Sequence, residues 1–125
     1  MSTKIQDFAN QAILGIGLAP QIATSTVTGT GGDLINGDGR CFAYQQVGAV
    51  SGTSPTLDGK IQESSDNSTW TDVAGATFTQ VTAANNYQAI TFDRTKRYLR
   101  YLGTIGGTSP SFALAVVISE QKKQV

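Results

Sequence analysis

The chain repeats itself, and the repeat limits what it can fold into. Residues 43–64 and residues 98–119 can be laid on each other with a constant offset of 55. Gly48, Gly52, Thr53, Ser54 and Pro55 then fall on Gly103, Gly107, Thr108, Ser109 and Pro110. Val47, Leu57 and Ile61 fall on Leu102, Phe112 and Val116. Each copy reads as a strand, a Gly-Thr-Ser-Pro turn and a second strand, because alternating apolar residues flank a tetrad of turn formers. The pattern predicts a stack of antiparallel hairpins. Nothing in it is arranged for catalysis, so a function has to be sought in surfaces and assembly.

The rest of the chain agrees with this reading. At 125 residues it is the size of one domain. Only 14% of residues are charged, against a usual ~25%, while Thr, Val, Ile and Gly are plentiful. Strand signals cover 21–28, 41–50, 56–64, 69–74, 77–81, 87–92, 97–105 and 111–119. Turn residues recur between them every ~8–12 residues, which implies an antiparallel β-sandwich or barrel. In 111–119, Phe112, Leu114, Val116 and Ile118 point one way and the small apolar Ala113, Ala115 and Val117 the other. A strand apolar on both faces is central in its sheet or covered by another chain.

Three parts follow: an extended arm over 1–20, a sandwich over 21–120 and a polar tail over 121–125. The arm offers a short helical turn across 7–14, stopped by Gly15, Gly17 and Pro20. Its apolar residues Phe8, Ile13, Leu14, Ile16 and Leu18 are candidate contacts with a partner or a sister subunit. The alternative is that the arm packs back as an edge of its own sandwich.

Composition excludes several functions. Nine basic and nine acidic residues cancel, which argues against nucleic-acid binding and against electrostatic attachment to membranes. The apolar run at 12–19 is too short to span a bilayer and gives no secretory signal, so synthesis in a cytosol is expected. Cys41 is the single cysteine, so no internal disulfide forms; it reads as a buried, inert side chain. With no histidine, a Ser-His-Asp or Cys-His arrangement is impossible, and a zinc site lacks ligands.

Weaker signals point to structure as well. The Gly15–Gly17 and Gly29–Gly32 runs lack the strand-loop-helix context and the Gly-Lys-Ser/Thr of a phosphate loop. Asp33, Asn36 and Asp38 lie at calcium-like spacing, but Asn-Gly and Asp-Gly are tight-turn dipeptides. Glu63, Asp66 and Asp72 are read as turn and strand-end residues and not as a catalytic carboxylate pair. The glycosylation sequon at Asn67 means nothing without secretion. Trp70 fills a core or, if exposed, stacks on a sugar. Arg94, Lys96, Arg97 and Arg100 form either a solvated face or a grip on an acidic partner, and Arg94 and Arg97 are the candidate contacts. No cofactor, no metal and no enzymatic activity are expected.

Two resemblances add to this. Lys60-Ile-Gln-Glu-Ser-Ser-Asp-Asn-Ser-Thr-Trp-Thr-Asp-Val resembles a signature of small structural proteins of tailed bacteriophages. So does Arg97-Tyr-Leu-Arg-Tyr-Leu followed by Gly107-Thr-Ser-Pro-Ser-Phe and the closing Lys122-Lys123. The resemblance covers about 41–123 and is closest in kind to capsid decoration (cement) proteins. It implies a jelly-roll-like sandwich on the surface of the virion, a homo-oligomer (a trimer above all), the major capsid protein as partner, and no catalytic residues. The Ser64–Trp70 run with Lys96–Arg100 is also similar to discoidin-like sandwiches, which bind sugars or lipids through loops. That implies the alternative of a glycan-binding module on a phage tail or fibre.

Overall fold

The computed structural model describes residues 12–33 and 37–122. It holds seven strands: β1 (Ala12–Ala23), β2 (Val27–Thr28), β3 (Gly32–Asp33), β4 (Gly37–Ser64), β5 (Thr71–Thr77), β6 (Asn86–Phe92) and β7 (Tyr98–Lys122). All pairings are antiparallel. Among the described residues there is no helix, hence none long and apolar enough to cross a membrane. Residues 12–14, expected at the end of a helical turn, are extended in β1; residues 7–11, Phe8 with them, and Asn36 lie outside the described residues. Alternate β-branched and small residues bonded to β7 favour the strand.

β4 and β7 dominate the fold. At 28 and 25 residues they far exceed the usual strand of about 5–6. They pair with each other along almost their whole length as one antiparallel ribbon. The two Gly-Thr-Ser-Pro runs are therefore not hairpin turns. They lie opposite each other in the middle of the ribbon, with Thr53 paired to Thr108. Around that pair the register is symmetric under the offset of 55: Ser51 pairs Ser111 as Thr56 pairs Gly106, and Val50 pairs Phe112 as Leu57 pairs Ile105. Gly52 and Gly107 have φ of 112° and 109°, and Ser54 and Ser109 have 49° and 48°. These left-handed residues bend both strands at one level, which makes a corner in the ribbon. Pro55 and Pro110 fall in the register breaks there, where no ladder N–H is required.

The corner divides the ribbon into the two layers of a sandwich. The first sheet runs β1, the end of β7, the start of β4, then β6. The second runs β5, the end of β4, the start of β7, then β2 and β3. The copies interlock: the first strand of each pairs with the second strand of the other. One core lies between the layers, with Ala43, Val47, Phe112, Leu114, Val116 and Ile118 from the first and Leu57, Ile61, Leu99 and Tyr101 from the second. Tyr101 donates its hydroxyl to Gln45 Oε1 across the layers at 2.6 Å, in space that Gly59 leaves open. Bridges between Gly17 and Thr30 and between Leu57 and Val81 help to close the sides.

The arm takes the second of its two expected fates over the part described. β1 is an edge strand bonded to β7, and Leu18 is buried in the core. At the other end β7 continues through Lys122, which pairs with Gly37.

Candidate contact face

Asp66, Asp72, Glu63 and Asp33, singled out in the sequence, are spent on holding the fold, while the side chains of Asn36 and Asp38 lie outside what is described. Asp66 caps its own turn: its carboxylate accepts from the N–H groups of Thr69 and Ser68 and from the Ser64 hydroxyl. Those bonds, the Thr69 one foremost, hold its carboxyl below the usual range. Asp72 accepts from Gln62 and Lys60 on the neighbouring strand, which lowers its carboxyl too. Buried Glu63 accepts both the N–H and the hydroxyl of Thr95. Asp33 accepts two bonds from Arg97, at 2.8 and 2.7 Å. Each carboxylate faces its own donors, and no group of three metal-ligating side chains occurs among the described residues.

The basic cluster is also engaged internally. Arg94 reaches the buried Glu120 at 2.8 Å and bonds the Lys96 carbonyl. Arg97, besides gripping Asp33, lies over the Tyr98 ring. Arg100 bonds Gln62 and lies 4.5 Å over the Trp70 ring. Trp70 is thus neither core nor free platform: it is half-buried, with one face under a guanidinium and its edge against Gly31. Of the other contact candidates, Leu18 is in the core, and Ile13, Leu14 and Ile16 lie along β1, whose backbone is paired with β7.

Cys41 is sealed. Its thiol lies 3.2 Å from Glu120 Oε2, and burial together with that carboxylate pushes its pKa up to about 12. It is not a nucleophile at neutral pH.

What remains exposed and unexplained is one apolar face. The exposed large hydrophobics among the described residues are Ile22, Phe42, Tyr87 and Val117, and all lie on the outer side of the first sheet. Inward Ala43, Gln45 and Val47 leave Phe42, Tyr44 and Gln46 outward on β4; inward Leu114, Val116 and Ile118 leave Ala113, Ala115 and Val117 outward on β7. Register completes the surface, since Tyr44 pairs with both Val117 and Ala89, Gln46 with Tyr87, and Ile22 with Ala113. These positions carry no charge. Bulges in β1 and β4 break the strands at one end of the face and open a depression of about 400 Å³ lined by Pro20, Ile22, Gln46, Gly48 and Ala113.

The second sheet provides the contrast within the same molecule. Its outer side carries Asp58, Lys60, Gln62, Asp72 and Arg100, tied into ion pairs and hydrogen bonds. In the second strands of the two copies Leu57 and Ile61, like their equivalents Phe112 and Val116, face the core, while the outward residues differ in character: Asp58, Lys60 and Gln62 against Ala113, Ala115 and Val117. Only the first sheet is dressed for contact with something other than water.

No protein-family model matches the chain, and no curated protein matches it. Among solved structures, the crystal structure of PBSX exported protein XepA is similar in fold, with a TM-score of 0.55 and 22% sequence identity over 90% of this chain. The chain spans 38% of the length of that protein.

Proposed function

We propose that this chain is a structural virion protein of a tailed phage: a decoration (cement) protein that binds the outside of the assembled head and stabilises contacts between capsomers. The observation that carries this reading is the apolar patch of Ile22, Phe42, Tyr87 and Val117 on the outer face of the first sheet, where the Arg40–Asp93 pair stands only at one end, set against the charged outer face of the second. The likeness of fold to XepA of the phage PBSX and the resemblance of 60–73 and 97–123 to small virion proteins support the phage setting. The role is adhesion, with no catalysis and no cofactor. The partner is the major capsid protein, and the chain acts as a homo-oligomer made in the host cytoplasm.

The size of the face fits a lattice better than a lone complex. Four strands about 4.8 Å apart, with about six or seven residues each, present roughly 400 Å². A stable pairwise interface needs about 800 Å² per partner. One face alone gives weak binding, and repetition over a shell converts weak contacts into retention. The alternative of a glycan-binding module has less to stand on, because Arg100 already occupies one face of Trp70.

Co-sedimentation with undecorated heads tests the proposal. Phe42→Glu with Val117→Glu places two charges on the apolar face and is expected to weaken loading at least tenfold. Lys60→Gln on the opposite sheet is expected to leave it unchanged. Equal loading by both variants would overturn the assignment of the face; association with tails alone would overturn the location.

A further inference from the structure

The four edges of the two sheets are not equally protected. A strand edge offers unpaired N–H and C=O groups to any extended chain, and proteins blunt such edges with bulges, charges or shortness. β1 has bulges between Ile13 and Ile16 and between Leu18 and Gln21. β5 carries Asp72, a register break, and Gly75 at φ 76°. β2 and β3 are two residues each. β6 has none of these devices. Its seven residues, Asn-Tyr-Gln-Ala-Ile-Thr-Phe, pair with β4 without a break and contain no charge, proline or glycine. The neighbouring segment does not take this edge. Gln88 reaches Thr79 with its side-chain amide, and the backbone bonds of Phe78 and Val81 go to Gly59 and Leu57.

We infer that β6 pairs with β6 of a second copy, antiparallel, about a two-fold axis at Ala89. The strand is self-complementary in that register. All seven residues find a partner: Asn86 meets Phe92, Tyr87 meets Thr91, and Ala89 meets itself, with no like charges opposed. The outer sides of the two first sheets then join edge to edge. Two patches of roughly 400 Å² become one of roughly 800 Å², the size that a stable contact requires. This last consequence rests on the proposed decoration role; the pairing itself does not. A second copy is favoured over a foreign strand because the apolar face continues across this edge and only self-pairing doubles it.

Exposed Ala89 makes the test direct. In sedimentation velocity the wild type is expected to show a concentration-dependent dimer. Ala89→Lys and Ala89→Glu each place like charges against each other on the axis, and are expected to self-associate at least tenfold more weakly. Mixing the two at equal concentration is expected to restore the dimer. Ala89→Cys is expected to cross-link under mild oxidation, with Cys41 left unmodified in its buried site. A monomer at every concentration, a trimer whose Ala89→Cys form does not cross-link, or charge variants that fail to rescue each other would overturn the pairing. A wild-type monomer that still sediments with heads would overturn the pairing and leave the decoration role standing. A dimer that ignores heads would do the reverse.

Discussion

Thr53 and Thr108, 55 positions apart in the chain, sit directly opposite each other at the centre of the β4–β7 ribbon. Equivalent residues on either side of that pair have equivalent surroundings. A Cβ placed on Gly52 would lie 2.7 Å from the Ser109 carbonyl oxygen, and one on Gly107 would lie 2.7 Å from that of Ser54. Gly52→Ala and Gly107→Ala should therefore destabilise to the same extent, by about 1–3 kcal/mol each or more, since a strained φ adds to the collision. Gly75 also has a positive φ but nothing within 4 Å, so Gly75→Ala should cost only about 1 kcal/mol. Urea unfolding of the three variants compares them.

Tyr101 and Gln45 form a second linked pair. The Tyr101 hydroxyl is the partner of Gln45 Oε1, while Gln45 Nε2 has none among the described residues. Tyr101→Phe should lose about 1–3 kcal/mol by leaving the buried amide wholly unpaired. Gln45→Met in the same chain should recover most of that loss, because two apolar groups make no unmet demand. A double-mutant cycle measured by thermal or urea unfolding checks the coupling.

Cys41 gives a chemical test of the packing. With its pKa near 12 and its side chain buried, the thiol should resist alkylation by iodoacetamide at pH 8 in the native protein. In urea it should react at the rate of an ordinary cysteine. Modification of the native protein at the denatured rate would contradict the seal made by burial and the Glu120 carboxylate.

Acid should loosen the 64–72 turn through Asp66. Its native pKa is lowered below the unfolded value of about 3.9, so its contribution is complete above that pH and fades as pH falls through the native pKa. Asp66→Ala should lower the melting temperature at pH 7, and the gap from wild type should narrow below about pH 4. A constant gap from pH 7 to pH 3 would show that the carboxylate's charge is irrelevant to the turn.

Strand positions and one face of each were legible because period-two alternation is a local property. Leu57, Gly59 and Ile61, and Phe112, Leu114, Val116 and Ile118, are buried as their spacing indicates. In the first strands of the copies the phase differs. Ala43, Gln45 and Val47 point inward, yet their repeat equivalents Tyr98, Arg100 and Leu102 do not; Leu99, Tyr101 and Gly103 do. A register shift between Val47 and Val50 in the first copy accounts for this, since one extra residue turns every earlier side chain to the other face.

The Gly-Thr-Ser-Pro signal marks backbone that bends, but each run bends a continuous strand where a hairpin is expected. Turn chemistry reports local φ values and says nothing about which strand lies across. The contact face was half visible, in Ala113, Ala115 and Val117. Phe42 and Tyr87 join it only through the β4–β6 register, which no local pattern encodes. Arg94 and Arg97 looked free because Glu120 and Asp33 lie 26 and 64 positions away.

The interlocking of the copies also fixes when the molecule can form during synthesis. In the first sheet the end of β7 lies between β1 and β4, so the ribosome delivers the middle of that layer after both its neighbours. Until then β4 can pair with β5 and β6, but β1 has no strand beside it, and the longest-range contacts come last. The first layer of this sandwich closes only once β7 has emerged, and chaperones that shield the earlier strands should govern its yield.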